Sequence, residues 1–143
     1  MIIGSIVDGI VIDHIPAGRG MEIYRYLKLD ELDCEVALIK NASSEKYGKK
    51  DIVKTNEIID LDLDMLGFIA PQITVTFIRD GKRVKKLHPK LPKKLINVIR
   101  CKNPRCITSV EQGLQQEFYL SDEEKGDYRC IYCDTLAEKS GLL

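Results

Sequence analysis

Gln72-Ile-Thr-Val-Thr-Phe-Ile-Arg-Asp-Gly-Lys-Arg-Val84 is the stretch that decides the fold. Ile73, Val75 and Phe77 recur at every second position, which predicts a strand over residues 72–79 with one apolar face. Asp80-Gly81 follows, two residues that tolerate a left-handed backbone, and Val84 lies on the return. That is the sequence signature of a tight β-hairpin.

Upstream of the hairpin, Asp60 to Ile69 opens on acids and ends at Ala70-Pro71. Acids suit the positive end of a helix, so a short helix is expected there. Residues 51–57 read as a strand with Ile52 and Val53 at its centre. Asn41 to Lys50 is polar and punctuated and reads as a loop. Cys34 to Lys40 is a short apolar strand, and Cys34 itself reads as a buried thiol. A helix is expected over residues 21–29, approached through Gly18 and Gly20. Residues 2–15 are rich in β-branched side chains and predict an extended strand, bent near Asp8-Gly9 and ended by Pro16.

The order is therefore β-α-β-β-α-β with one added hairpin strand. It predicts an α+β fold: a ferredoxin-like sandwich with both helices on one face of an antiparallel sheet. Pro89 and Pro92 bracket Lys90-Leu91 and stiffen the chain, so a boundary is placed near residue 92, giving domains 1–92 and 93–143. The second piece is too small to bury a sufficient core and calls for a staple.

The staple is legible. Cys101 and Cys106 are followed, after a gap of 23 residues, by Cys130 and Cys133. Two close pairs across a hairpin-sized insert suit one tetrahedral Zn²⁺ held by four thiolates, with no open position for substrate. Two disulfides, or four unrelated core cysteines, are the alternatives; disulfides need an oxidising compartment, and nothing at the N-terminus reads as a secretory signal. The expectation is a small β-rich zinc-binding domain whose folding and metal binding are one equilibrium.

Charge is balanced overall, 22 basic against 22 acidic residues, but unevenly spread. From Lys82 to Arg105 there are ten Lys or Arg and no acid. Such a band attracts phosphate or an acidic protein surface. It also admits a zinc-ribbon nucleic-acid-binding protein, against which stand the neutral net charge and the lack of interleaved aromatics. No apolar run approaches the roughly 20 residues needed to cross a bilayer, so a cytoplasmic protein without a membrane partner is expected.

No catalytic set is visible. Asp13 and His14 are adjacent on a strand, which predicts opposite faces and a poor dyad. No cysteine or serine has a recognisable base partner, and Gly18-Arg19-Gly20 lacks the rest of a dinucleotide fingerprint. Lys50 and Lys54, four apart on a strand, can point together, and Lys85 and Lys86 lie on the hairpin's return. With a nearby Asp they could hold an anionic, hydroxylated ligand, or they could be ordinary solvated lysines.

The chain resembles the regulatory chains of aspartate carbamoyltransferase. The residues that carry the resemblance are Val11-Ile-Asp-His-Ile-Pro-Ala17, Gly48-Lys-Lys-Asp-Ile-Val-Lys54 and Ala70-Pro-Gln-Ile-Thr-Val75. Leu91-Pro92, Asn97-Val98 and the unequal cysteine spacing continue it in order. The resemblance implies a non-catalytic subunit of pyrimidine biosynthesis that binds CTP, ATP and UTP, forms a homodimer and links catalytic trimers. It implies that Asp13 and Lys54 contact ribose and base, and His14 and Lys86 the phosphates. Ser5, Ile6, Val11 and Ile78 would line the base pocket, with Lys50 a further contact. Asn103, Arg105 and Asp134 would meet the catalytic chain. Two positions depart from the family pattern: Gly81, where an aromatic can accompany the base, and Arg105, where asparagine is expected.

Overall fold

The structure, a computed structural model, describes residues 7–138. Its elements in chain order are β1 (Gly9–Pro16), α1 (Gly20–Tyr26), a 3₁₀ turn (Leu29–Glu31), β2 (Val36–Ser44), β3 (Gly48–Thr55) and α2 (Leu63–Ile69). Then come β4 (Thr74–Arg79), β5 (Lys82–Leu87), β6 (Lys94–Ile96), α3 (Ile107–Val110), β7 (Glu117–Asp122) and β8 (Asp127–Cys130). The first five strands form an antiparallel sheet in the order β2-β3-β1-β4-β5, and the last three a second sheet, β6-β7-β8. The ferredoxin-like pattern with an added hairpin strand is thus the architecture found.

The hairpin forms as its sequence dictates. Asp80 and Gly81 both take positive φ (51° and 74°), the two left-handed positions of a type I′ turn. β5 is a sheet edge, and Lys82, Arg83, Lys85 and Lys86 along it discourage further strand pairing.

One face of the large sheet is buried. Ile10, Ile12, Ile15, Val53 and Val75 pack with Ile23 of α1 and with Met65, Leu66, Phe68 and Ile69 of α2. Asp51, also on this face, is fully buried, yet its carboxylate is satisfied. It accepts from the backbone N–H groups of Gly18 (3.0 Å), Gly20 (2.9 Å) and Asn41 (3.0 Å), fastening the start of α1 to the sheet. A Cβ at Gly20 would stand 2.8 Å from Asp51 Oδ2, so only glycine admits this approach.

Four expectations need correction. Asn41 to Lys50 is largely strand: β2 continues to Ser44 and β3 starts at Gly48, leaving only residues 45–47 as a turn. The ladder survives the polar composition because a bulge at residues 40–41, with Asn41 at φ 58°, absorbs the mismatch. α1 ends at Tyr26, since Lys28 turns left-handed (φ 55°) and starts a separate 3₁₀ turn. Cys34 precedes β2 and is half-buried rather than buried. α2 starts at Leu63, with Asp62 as its N-cap accepting from the amides of Asp64 and Met65.

The two sheets share one apolar cluster, which runs from Ile10 to Cys130. Phe68 of α2 meets Tyr128 of β8 edge-on, ring centroids 5.4 Å apart. The connecting segment lies so close to α2 that a Cβ at Gly67 would stand 2.2 Å from the Lys90 carbonyl oxygen.

Candidate functional site

The face of the large sheet opposite the helices carries Asp13, Lys50, Lys54 and Lys86. Directly paired residues on neighbouring strands present their side chains to the same side. Val11 pairs with Lys54 on β3 and with Thr76 on β4, and Thr76 pairs with Lys86 on β5. A single row across four strands therefore reads Lys54, Val11, Thr76, Lys86. The two lysines are three strand spacings apart, about 14 Å, within reach of one anionic ligand lying across Val11 and Thr76.

One step along β1, Asp13 faces Thr74 and takes Lys50 in an ion pair (Nζ–Oδ1 3.1 Å). One step the other way, Gly9 pairs with Ile78, and Ile78 with Arg83. The predicted convergence of Lys50 and Lys54 holds along β3, where residues 50, 52 and 54 are half-buried while Asp51, Val53 and Thr55 are buried behind them.

His14 departs from its expectation. A bulge between Ile12 and Ile15 gives it φ 59°, and its N–H donates to Asp13 Oδ1 (2.6 Å). The ring swings to the same side as Asp13, where Nδ1 lies 3.1 Å from Thr74 Oγ1 and the ring meets Tyr47 edge-on at 6.4 Å. Strand alternation assigned it to the opposite face; a bulge resets alternation, and nothing in the local sequence announces one. Thr74, Thr76 and Tyr47 are the residues sequence reasoning missed. The threonines alternate with Ile73 and Val75, so their shared face was available as a signal; the hairpin tip bearing Tyr47 was hidden by the loop reading. Ser5 and Ile6 lie outside the described residues.

The four cysteines of the second lobe form a metal-binding cluster. Their sulfurs lie within 4.8 Å of one another, Cys101 and Cys133 at 3.6 Å, Cys106 and Cys130 at 3.7 Å. A tetrahedron of Zn–S bonds near 2.3 Å has edges of about 3.8 Å, so the donor set fits one structural Zn²⁺. The loops are built for it. Asn103 accepts the amide of Cys106 at its backbone carbonyl (3.1 Å) and that of Arg105 at Oδ1 (3.0 Å), which closes the first loop. The amide of Asp134 donates to Cys130 O (2.8 Å), with Asp134 left-handed at φ 62°, which closes the second.

Hydroxyls support the sulfurs: Thr108 Oγ1 donates to Cys106 Sγ (3.1 Å), and Thr135 Oγ1 lies 3.1 Å from Cys133 Sγ. Burial pushes the Cys101 thiol up to about 12. Burial also opposes ionisation of Cys133, but hydrogen bonds from Thr135, Asn103 and Cys101 outweigh it and bring that thiol down to about 6. Without a cation the cluster cannot hold four thiolates together; a divalent ion supplies the compensating charge.

Residues 1–90 match the family described as aspartate carbamoyltransferase regulatory chain, allosteric domain, and residues 93–141 match its metal binding domain. This chain belongs to the aspartate carbamoyltransferase regulatory chain family. Regulatory chains of Clostridium botulinum (strain Hall) and Clostridium acetobutylicum are 55% and 54% identical over 134 residues, 94% of this chain and 92% of each relative. That of Bifidobacterium longum is 49% identical over 138 residues, 96% of this chain and 99% of the relative. With an allosteric and a metal-binding domain and relatives named as regulatory chains, it is a non-catalytic subunit.

In this regulatory chain, Asn103, Arg105 and Asp134 lie on the two cysteine loops. Asp134 is exposed and held: Tyr119 donates its hydroxyl to Asp134 Oδ1, and Arg129 donates Nη1–H to its carbonyl (2.9 Å). The same lobe exposes Ile107, Val110, Leu114, Ile131 and Tyr132. Among the described residues no helix is long and apolar enough to cross a membrane.

Proposed function

We propose that this chain, divided into domains 1–92 and 93–143, binds nucleoside triphosphates on the open face of its large sheet and passes their binding to a catalytic chain docked on its metal lobe. CTP, ATP and UTP are the effectors. Asp13 and Lys54 contact ribose and base, His14 and Lys86 the phosphates, Lys50 is a further contact, and Val11 and Ile78 line the base seat with Ser5 and Ile6. The observation that carries this reading is the row Lys54, Val11, Thr76, Lys86 beside the Lys50–Asp13 pair. It sets cations on both flanks of a short apolar and hydroxyl floor, the pattern that a phosphate chain attached to a sugar and a flat base requires.

Asn103, Arg105 and Asp134 contact the catalytic chain, and the exposed apolar residues around the cysteine loops give that contact its area. Regulatory chains pair as homodimers, so two metal lobes join two catalytic trimers in the cytoplasmic pathway to pyrimidines. The names of the relatives and the two matched domains support a catalytic-chain partner. The isolated site needs no reaction of its own: a ligand that binds two quaternary states unequally shifts the balance between them.

Lys86→Ala tests the phosphate assignment. A hydrogen bond to a charged group contributes about 1.5–3 kcal/mol, so CTP and ATP should each bind roughly tenfold to a hundredfold more weakly in calorimetry. Metal content and assembly should be unchanged. Wild-type affinity in Lys86→Ala would remove Lys86 from the site. Salt-dependent binding of DNA or RNA through residues 82–105, with no triphosphate binding, would replace this reading by a nucleic-acid one.

A further inference from the structure

The two lobes are tied by two tyrosines that differ in one respect. The Tyr128 hydroxyl of β8 donates to a single acceptor, the Pro92 carbonyl, at 2.6 Å. That bond, with the Phe68 contact, is a fixed anchor. The Tyr26 hydroxyl, at the last residue of α1, has two acceptors and one proton: Asp62 Oδ2 at 3.1 Å and the Asn97 carbonyl at 3.4 Å.

Those acceptors belong to different lobes. Asp62 is the N-cap of α2, its Oδ1 already taken by the amides of Asp64 and Met65. Asn97 follows β6 in a left-handed conformation, φ 56°. Its Oδ1 accepts the Gln116 amide (3.0 Å) and its own amide donates to Gln116 O (2.8 Å). Gln116 Oε1 in turn accepts the amide of the metal ligand Cys101 (3.1 Å). The far end of α1 is no less tied. The amides of Gly18 and Gly20 are held by Asp51, which adjoins Lys50 on β3, and Lys50 pairs with Asp13 on the open face. A continuous set of contacts thus leads from the open face, through α1 and one phenol, to the metal centre, without passing through the segment around Pro92.

We propose that the Tyr26 hydroxyl is a two-position coupling between the lobes, donating to Asp62 in one quaternary state and to the Asn97 carbonyl in the other. A ligand that pulls on Lys50 and Asp13 loads Asp51 and α1, and a small shift of α1 decides which acceptor the proton takes. A two-position element that two sites both bias is what coupling requires; a chain of contacts alone does not supply it. The expectation rests on the nucleotide reading above, and Tyr26 acts through its neighbours as a positioning residue.

The test uses the holoenzyme reconstituted with catalytic trimers. Tyr26→Phe keeps the ring and removes the proton. In this variant the shift in half-saturating aspartate produced by CTP or ATP should fall to less than about half of the wild-type shift, given typical allosteric effects of roughly fivefold or more. Nucleotide Kd, metal content and holoenzyme mass should stay within about twofold of wild type, because no ligand contact is lost. Asp62→Asn keeps an oxygen for α2 but removes the charge from the phenol's nearer acceptor. It should move half-saturating aspartate in the absence of nucleotide as well as shrink the effector shift. Undiminished effector shifts in Tyr26→Phe, or a loss confined to stability or to nucleotide Kd, would overturn the toggle alone. A wild-type holoenzyme with no nucleotide response would overturn the nucleotide reading, and the toggle with it.

Discussion

The two lobes reach stability by different physics. The sheet lobe covers one face of its five strands with two short helices and buries Ile10, Ile12, Ile15, Val53, Val75 and the apolar side of α2. That one-sided burial is sufficient, which leaves the other face at liberty to carry Asp13, Lys50, Lys54 and Lys86. The metal lobe has three short strands and a core of little more than Leu95, Val98, Ile99, Phe118 and Tyr128 around its cysteines. It is fixed by a cation instead, and leaves Val110, Ile107 and Tyr132 exposed, on the surface proposed above for another chain. The comparison teaches where specificity can be built. A lobe with a full core can devote a sheet face to a ligand, and a lobe with a metal core can devote its apolar residues to a partner.

The largest way to separate the lobes is to remove the metal. A structural Zn²⁺ contributes roughly 10–16 kcal/mol to a small domain, far more than the residual core there can supply. Cys106→Ser, or a strong chelator, should therefore release the ion and unfold residues 93–138, with loss of association with the catalytic trimer in sedimentation. Amide-exchange protection in β1, β3 and β4 should persist. Collapse of both lobes together would show that the shared cluster through Phe68 and Tyr128 binds them into one cooperative unit.

In the sheet lobe the comparable keystone is Asp51. Replacing it by Ala orphans three backbone N–H groups at the start of α1 and in the β2 bulge. At about 1–3 kcal/mol for each buried donor left unpaired, a loss of about 3 kcal/mol or more is expected in urea denaturation, with metal content unchanged. A loss under about 1 kcal/mol would mean that water replaces the carboxylate, and that α1 is held by Ile23 and its neighbours alone.

The smallest effect concerns the joint between the lobes. Tyr128→Phe removes one bond to a neutral carbonyl and should cost about 1 kcal/mol. Burial, then the nearby Asp64 charge, raises the Tyr128 hydroxyl to about 12; burial, then Asp62, does the same for Tyr26. Both ordinarily ionise near 10. A folded value above the unfolded one means that the contribution is complete below about pH 10 and is lost as pH rises towards 12. Alkaline unfolding of the wild type should show this loss over pH 10–12, and the double Phe variant should show less of it. Equal pH profiles would show that folding does not oppose the ionisation of either phenol.

What was legible in the sequence was whatever depends on near neighbours. The period-two run from Ile73 to Phe77 and the Asp80-Gly81 turn were correct as read because strand faces and type I′ turns are set within a few residues. The cysteine spacing was correct because ligand geometry restricts which loops can meet at one ion. Asp13 and His14 were misassigned to opposite faces because the bulge that contains them, between Ile12 and Ile15, is set by pairing with β3. Asn41 to Lys50 was misread as a loop for a different reason: its two arms pair with each other, Ala42 with Lys50 and Ser44 with Gly48, but their polar, largely exposed side chains give no apolar alternation to announce a strand.

By itself, then, the sequence determined the order of elements, the hairpin, the four-thiolate cluster and the basic approach to it. Only the tertiary structure decided that Lys54 and Lys86, from strands distant in sequence, fall on one row, that Thr74 and Thr76 share their face, and that one phenol stands between two lobes. The physical reason is that periodicity fixes which side of its own strand a residue faces, whereas registry between strands, and the distance from Tyr26 to Asn97, follow from packing the whole chain.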